Sequence, residues 1–239
     1  MKTTYYSFMT SPEHKESAYH KKLRMLIEEK QLEERWPIAS CSLDYENPFQ
    51  LVVATVLSAQ TTDKRVNIVT KDLFATYPTP QLLAQADIND VENIIRTLGF
   101  YHVKAAHIVA LSQTLVEKFN SIVPQTMEEL TQLPGVGRKT ANVVLGDAFH
   151  KPGFPVDTHV MRVTGRLQWT DQWNAKHPDP VKIEKQITPI FPGEKWASLS
   201  HRLIYLGREI CHPRNPACYQ CPLSATCPFA LHKQNANHS

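Results

Sequence analysis

Four residues, Pro134-Gly135-Val136-Gly137, limit what this chain can become more than any other feature. They stand between a helical pattern that ends near Leu133 and another that begins at Arg138, so the chain must turn there within a few residues. Two glycines flanking Val136 let the backbone turn tightly and leave amide groups open at the start of the second helix. Unpaired amides at a positive helix end suit an anion such as a phosphate. Lys139 sits in the first turn of that helix, and Asp157 follows eighteen residues later. The positive helix end disfavours a charged lysine and favours a nucleophilic amine. A phosphate grip, an amine and a carboxylate thus share the stretch Leu133 to Asp157.

The rest of the chain reads as helices. Ser11 and Pro12 predict the start of a helix running to Arg35, which Trp36-Pro37 ends. Phe49 to Gln60 is nearly all apolar. Its β-branched residues allow a strand, but Leu51, Ala54, Leu57 and the helical neighbours favour a buried helix. Asp63 is expected to cap a helix to Thr76, Thr79-Pro80 to open a short one through Ala84, and Asp87 to cap another. Gly99 should stop that helix in a left-handed conformation. A longer helix follows from Val103 to Phe119, and Thr126 with Glu129 forms a capping box. Helices are expected at Arg138 to Ala148, Thr158 to Leu167, Val181 to Ile190 and Lys195 to Cys211, with a polar, mobile tail after Ala230. Nothing alternates with period two, and no internal repeat is visible, so the fold class is all-α.

Composition narrows the setting. With 239 residues, 42% apolar and 21% charged, the chain can bury one large core or two modest ones. No apolar run is long enough to span a bilayer, and the start lacks a secretory pattern, so a cytoplasmic protein is expected. A net charge of +3 permits nucleic-acid binding without requiring it. Four of the five cysteines, Cys211, Cys218, Cys221 and Cys227, fall in one seventeen-residue segment. In a reducing compartment such a group indicates a metal site rather than disulfides. Four thiolates suit zinc or an iron–sulfur cluster, and spacing alone does not separate them, although a zinc ribbon normally has two Cys-x2-Cys pairs. Cys41 stands apart and reads as a partly buried spectator.

An ordinary helix–helix turn punctuated by glycine would explain Gly-Val-Gly by itself. The Leu-Pro before it and the basic helix after it resemble the helix-hairpin-helix motif, which grips DNA phosphates through backbone amides. The longer run Leu-Pro-Gly-Val-Gly-Arg-Lys-Thr-Ala-Asn-Val-Val, followed by Val-Asp-Thr-His, resembles the endonuclease III family of DNA repair glycosylases. Leu-Ser-Ala-Gln-Thr-Thr-Asp at 57–63 and the four-cysteine segment match the same family, in the same order.

That resemblance implies a two-domain helix-hairpin-helix DNA glycosylase fold with a C-terminal iron–sulfur cluster loop. Residues 41–151 would form a helical bundle ending in the hairpin. Residues 1–40 and 152–239 would form a discontinuous cluster domain, with DNA in the cleft between the two. It further implies Lys139 as nucleophile, Asp157 as catalytic carboxylate, and a 4Fe–4S cluster on Cys211, Cys218, Cys221 and Cys227. Gly135, Val136 and Gly137 would contact DNA, and Gln60 and Phe100 would fill the gap left by an extruded nucleotide. Leucine is common in the family where Phe100 stands, and core packing would account for Phe100 equally. The implied activity is excision of oxidised pyrimidines and cleavage of the strand at the abasic site. The partner would be duplex DNA with damaged bases or abasic sites, met by a monomer in a bacterial-type, nucleoid-associated setting.

Two other readings stay open. A monofunctional mismatch glycosylase of the superfamily would keep the aspartate and cysteines, but would usually lack the lysine and carry a further C-terminal domain. A non-catalytic, structure-specific DNA-binding protein would have no need of both Lys139 and Asp157.

Overall fold

The structure, a computed structural model, describes residues 16–236, and all of its regular structure among those residues is helical. It divides into two compact units. One takes the chain before Ala39, Thr158–Phe191 and the chain from Arg202 onward; the other takes Ala39–Asp157 and Pro192–His201.

The second unit is built around α2, Pro48–Leu57. Asn47 caps it by accepting from the Gln50 amide at 3.0 Å, and proline occupies its first position. Every residue from Phe49 to Leu57 is buried, so the valines that allow a strand pack as a central helix instead. Around it stand α3 (Asp63–Thr76), α4 (Pro80–Ala84), α5 (Ile88–Ile95), α6 (Tyr101–Phe119), α7 (Met127–Leu130) and α8 (Arg138–Val143). Their apolar faces share one core from Leu43 to Leu145.

Several boundaries differ from expectation. The helix expected from Pro12 is α1, Ala18–Arg35, with Ser17 accepting from the His20 amide; Ser11 and Pro12 lie outside the described residues. Thr62, not Asp63, precedes α3, and Asp63 opens its first turn, where a carboxylate meets the positive helix end. Gly99 does not take the left-handed conformation; Phe100 does, with φ 59°, at the head of α6. The helix from Arg138 stays α-helical only to Val143 and widens into a π-helical turn at Val144–Ala148. That turn sets Asp147 against His201 Nε2 at 2.8 and 3.0 Å and against the Cys41 amide at 3.3 Å. Tyr45 donates its hydroxyl to the Asp147 carbonyl at 3.2 Å.

The first unit holds α1, α9 (Thr158–Arg166), α10 (Pro180–Ile187) and α12 (Pro228–Ala236), and all but the first residues of α11 (Trp196–Glu209). Residues 231–236, expected to belong to a mobile tail, continue α12 instead. Glu28 of α1 is fully buried and joins the unit's distant parts. It accepts from Arg24 at 3.2 Å, from the Trp169 indole, and from Thr226 Oγ1 at 2.8 Å. Burial raises its pKa while these donors oppose the rise. One buried carboxylate thereby fastens α1 to the residue before Cys227.

Candidate active site and cysteine segment

The hairpin is formed by α7, Pro134–Gly137 and α8. Gly135 takes φ +77°, a left-handed conformation that strains any residue with a Cβ, and a Cβ there would also crowd Val56 and His107 at 3.0–3.1 Å. Val136 turns inward, 6% exposed, and its amide donates to the Leu133 carbonyl at 3.0 Å. Of the three residues expected to contact DNA, Val136 therefore anchors the hairpin, while Gly135 and Gly137 face outward. Gly137, at the head of α8, has no protein atom within 4 Å of where a Cβ would stand. Nothing inside the protein requires a glycine there.

Lys139 is exposed in the first turn of α8. Its charge reaches the Cys41 thiol, which burial nonetheless pushes up to about 11 and keeps neutral. Asp157 is half-buried at the end of residues 152–157 and directly precedes α9. Phe154 and Val156 bury that segment, and Ser200 donates to the Pro155 carbonyl at 2.6 Å. Lys139 and Asp157 belong to the same unit.

Gln60 and Phe100 are both exposed and both left-handed, with φ 54° and 59°. Phe100 is 69% exposed, so core packing does not account for it.

The four cysteines sit after α11, in the short turn Cys218–Gln220, just beyond that turn, and before α12. Burial, reinforced by the neighbouring cysteines, pushes Cys221 up to about 12, and burial chiefly pushes Cys227 up to about 11. Such thiols ionise together only when positive charge lies among them. Among the described residues no three His, Cys, Asp or Glu side chains are grouped for one metal ion. Cys227, Cys211 and Cys218 all act on the Cys221 thiol, so four sulfur donors lie near one another, a set suited to an iron–sulfur group. Arg166 organises the segment: its guanidinium donates to Cys211 Sγ at 3.1 Å, His212 O at 2.7 Å and Pro213 O at 3.0 Å, and lies 4.6 Å over the Phe229 ring. Sequence reasoning missed Arg166, because nothing in its local pattern marks a partner 45 residues away.

A glycine hairpin that opens a lysine-bearing helix, within an all-α unit that also carries Asp157, is the arrangement of a base-excision DNA repair protein. Residues 53–192 match the HhH-GPD superfamily base excision DNA repair protein profile. Within that superfamily the chain belongs to the endonuclease III family. It is 47% identical to endonuclease III of Synechocystis sp. over 83% of this chain and 89% of that protein. It is 37% identical to endonuclease III of Escherichia coli, over 83% and 92%. A solved structure of a trapped endonuclease III–DNA covalent intermediate, 40% identical, superimposes with a TM-score of 0.83 over 89% of this chain and 98% of that one. Like the relatives, this chain is a DNA glycosylase and abasic-site lyase of base excision repair.

Proposed function

We propose that Lys139 and Asp157 carry out this reaction on oxidised pyrimidines in duplex DNA. The observation that supports it is an exposed lysine in the first turn of the helix opened by an outward-facing glycine hairpin, in the unit that holds Asp157. The Lys139 amine nitrogen attacks C1′ as the bond from C1′ to the base breaks, and the base leaves with the bonding electrons and takes up a proton. The sugar passes through a cationic state that the Asp157 carboxylate stabilises. The C1′–O4′ bond then opens to leave an imine on Lys139 and a hydroxyl on C4′. Loss of a C2′ proton expels the 3′ phosphate, and water releases the lysine. The covalently trapped relative supports this route. A duplex with one oxidised pyrimidine should lose the base and be nicked together; base release from an intact strand would favour the monofunctional alternative.

Gly135 and Gly137 bring backbone to phosphate, and Gln60 and Phe100 fill the space left in the stack. Because the protein leaves room for a Cβ at Gly137, Gly137→Leu should fold normally. It should bind every duplex, damaged or not, about tenfold more weakly, ~1.4 kcal/mol. Binding isotherms together with thermal melts test this; unchanged affinity would remove the hairpin from the interface. Affinity of the unaltered protein should fall steeply with salt.

Cys211, Cys218, Cys221 and Cys227 would hold a 4Fe–4S cluster, whose positive charge when bound would offset the cost that burial puts on the Cys221 and Cys227 thiolates. The purified protein should be yellow-brown with about four iron atoms per chain. Serine at Cys218 or Cys221 should lower soluble yield more than the activity of what folds. A colourless protein with stoichiometric zinc would overturn the cluster. No helix among the described residues is long and apolar enough to cross a membrane. A chromosomal substrate in a bacterial-type cell puts the enzyme in the cytoplasm with the nucleoid.

A further inference from the structure

Of the buried cations among the described residues and outside the mechanism, Arg24 and Arg202 pair with carboxylates and Lys104 does not. Lys104, in the first turn of α6, is 4% exposed, and burial lowers its pKa. Lysine is almost never so buried without a partner of opposite charge. Among the described residues no carboxylate pairs with it; its Nζ donates to Thr61 Oγ1 at 2.7 Å, and Thr61 Oγ1 in turn donates to the Ala59 carbonyl at 3.4 Å. The Lys104 amide donates to the Phe100 carbonyl at 3.1 Å. Lys104 is thereby bonded at one end to Phe100 and at the other to the residue after Gln60.

Phe100, and Gln60 beside Thr61, hold the left-handed backbone that non-glycine residues enter at a cost. Such strain persists only where the surroundings hold it, and the Gln60 turn joins α2 to α3 while Phe100 opens α6. Nothing in the local sequence links the two. A residue needed only to fill space beneath them would be leucine or methionine, which carry no desolvation penalty. The ammonium adds a directed, charge-assisted bond across the two turns.

We propose that Lys104 is a positioning residue that couples the Gln60 and Phe100 turns through Thr61, so that both enter the DNA stack as one rigid unit. This rests on the stack-filling role proposed above for those two residues. Lys104 touches neither the reacting sugar nor the base; it fixes where the two fillers stand.

The test compares one lesion in duplex DNA with an abasic site in a single strand, where there is no stack to enter. Lys104→Met and Thr61→Val should each lower kcat/KM on the lesion duplex about tenfold, as expected for loss of one charge-assisted bond. Each should leave trapping on the single-stranded abasic site within about twofold, and the double variant should lose little more than either single change. Thr61→Ser, which keeps the acceptor, should behave as the unaltered protein. Equal losses on the two substrates, or full duplex activity in Thr61→Val, would overturn the coupling. An unaltered protein inactive on the lesion duplex would overturn the parent reading itself, and that result needs no variant to be seen.

Discussion

Lys139→Gln, incubated with an abasic duplex and borohydride, is expected to give no covalent protein–DNA complex. Borohydride captures the reaction only by reducing an imine, and an imine requires a primary amine on C1′. Glutamine keeps most of the side-chain stem but has no nucleophilic nitrogen. Binding should survive, because the hairpin's outward glycines present backbone and Lys139 is not part of the turn. Strand nicking should fall to the background of the uncatalysed elimination. Affinity measured on the same preparation separates a lost nucleophile from a lost binding surface. If Lys139→Gln traps as well as the unaltered protein, another amine is the nucleophile and the assignment fails.

Asp157→Asn should fail differently. The amine remains, but the carboxylate proposed to stabilise the sugar cation is replaced by a neutral amide of the same shape. Base excision should fall by roughly 10²–10³, the range seen when a single preorganised electrostatic group is removed. An abasic site that already exists presents an aldehyde, so no glycosidic bond need break. Trapping there should persist at a reduced rate. The pair of substrates therefore divides the reaction at the base-release step. Equal loss on the damaged base and on the abasic site would mean that Asp157 serves the elimination as much as the excision. Full excision by Asp157→Asn would remove it from the catalytic pair.

How far the sequence reached depended on the distance over which each feature is decided. Thr79 before Pro80, Asp87 before Ile88 and Thr126 three residues before Glu129 mark helix starts through bonds that close within a turn, and each start is found where those residues stand. Gly135 is equally local, since its backbone angle is set within the hairpin. Gly99 looked the same and was not: the left-handed position moved one residue on to Phe100, which the Lys104 amide bonds from within α6. The change from α to π geometry after Val143 was also invisible, because Asp147 is held by His201, 54 residues later.

The sequence by itself determined most of the helices and the hairpin, because each follows from residue type and short spacing. It also singled out the cysteines, since their grouping along the chain is itself the signal. Only the tertiary structure decided which side chains, far apart in the chain, meet within each folded unit. Glu28 finds Thr226 198 residues away, Arg166 finds Cys211, and Lys104 finds Thr61. A helix's sequence states which face it buries, but not which partner lies beneath that face. That choice belongs to the packing of whole helices, where the cost of burying each charge is offset only by the particular group placed opposite it.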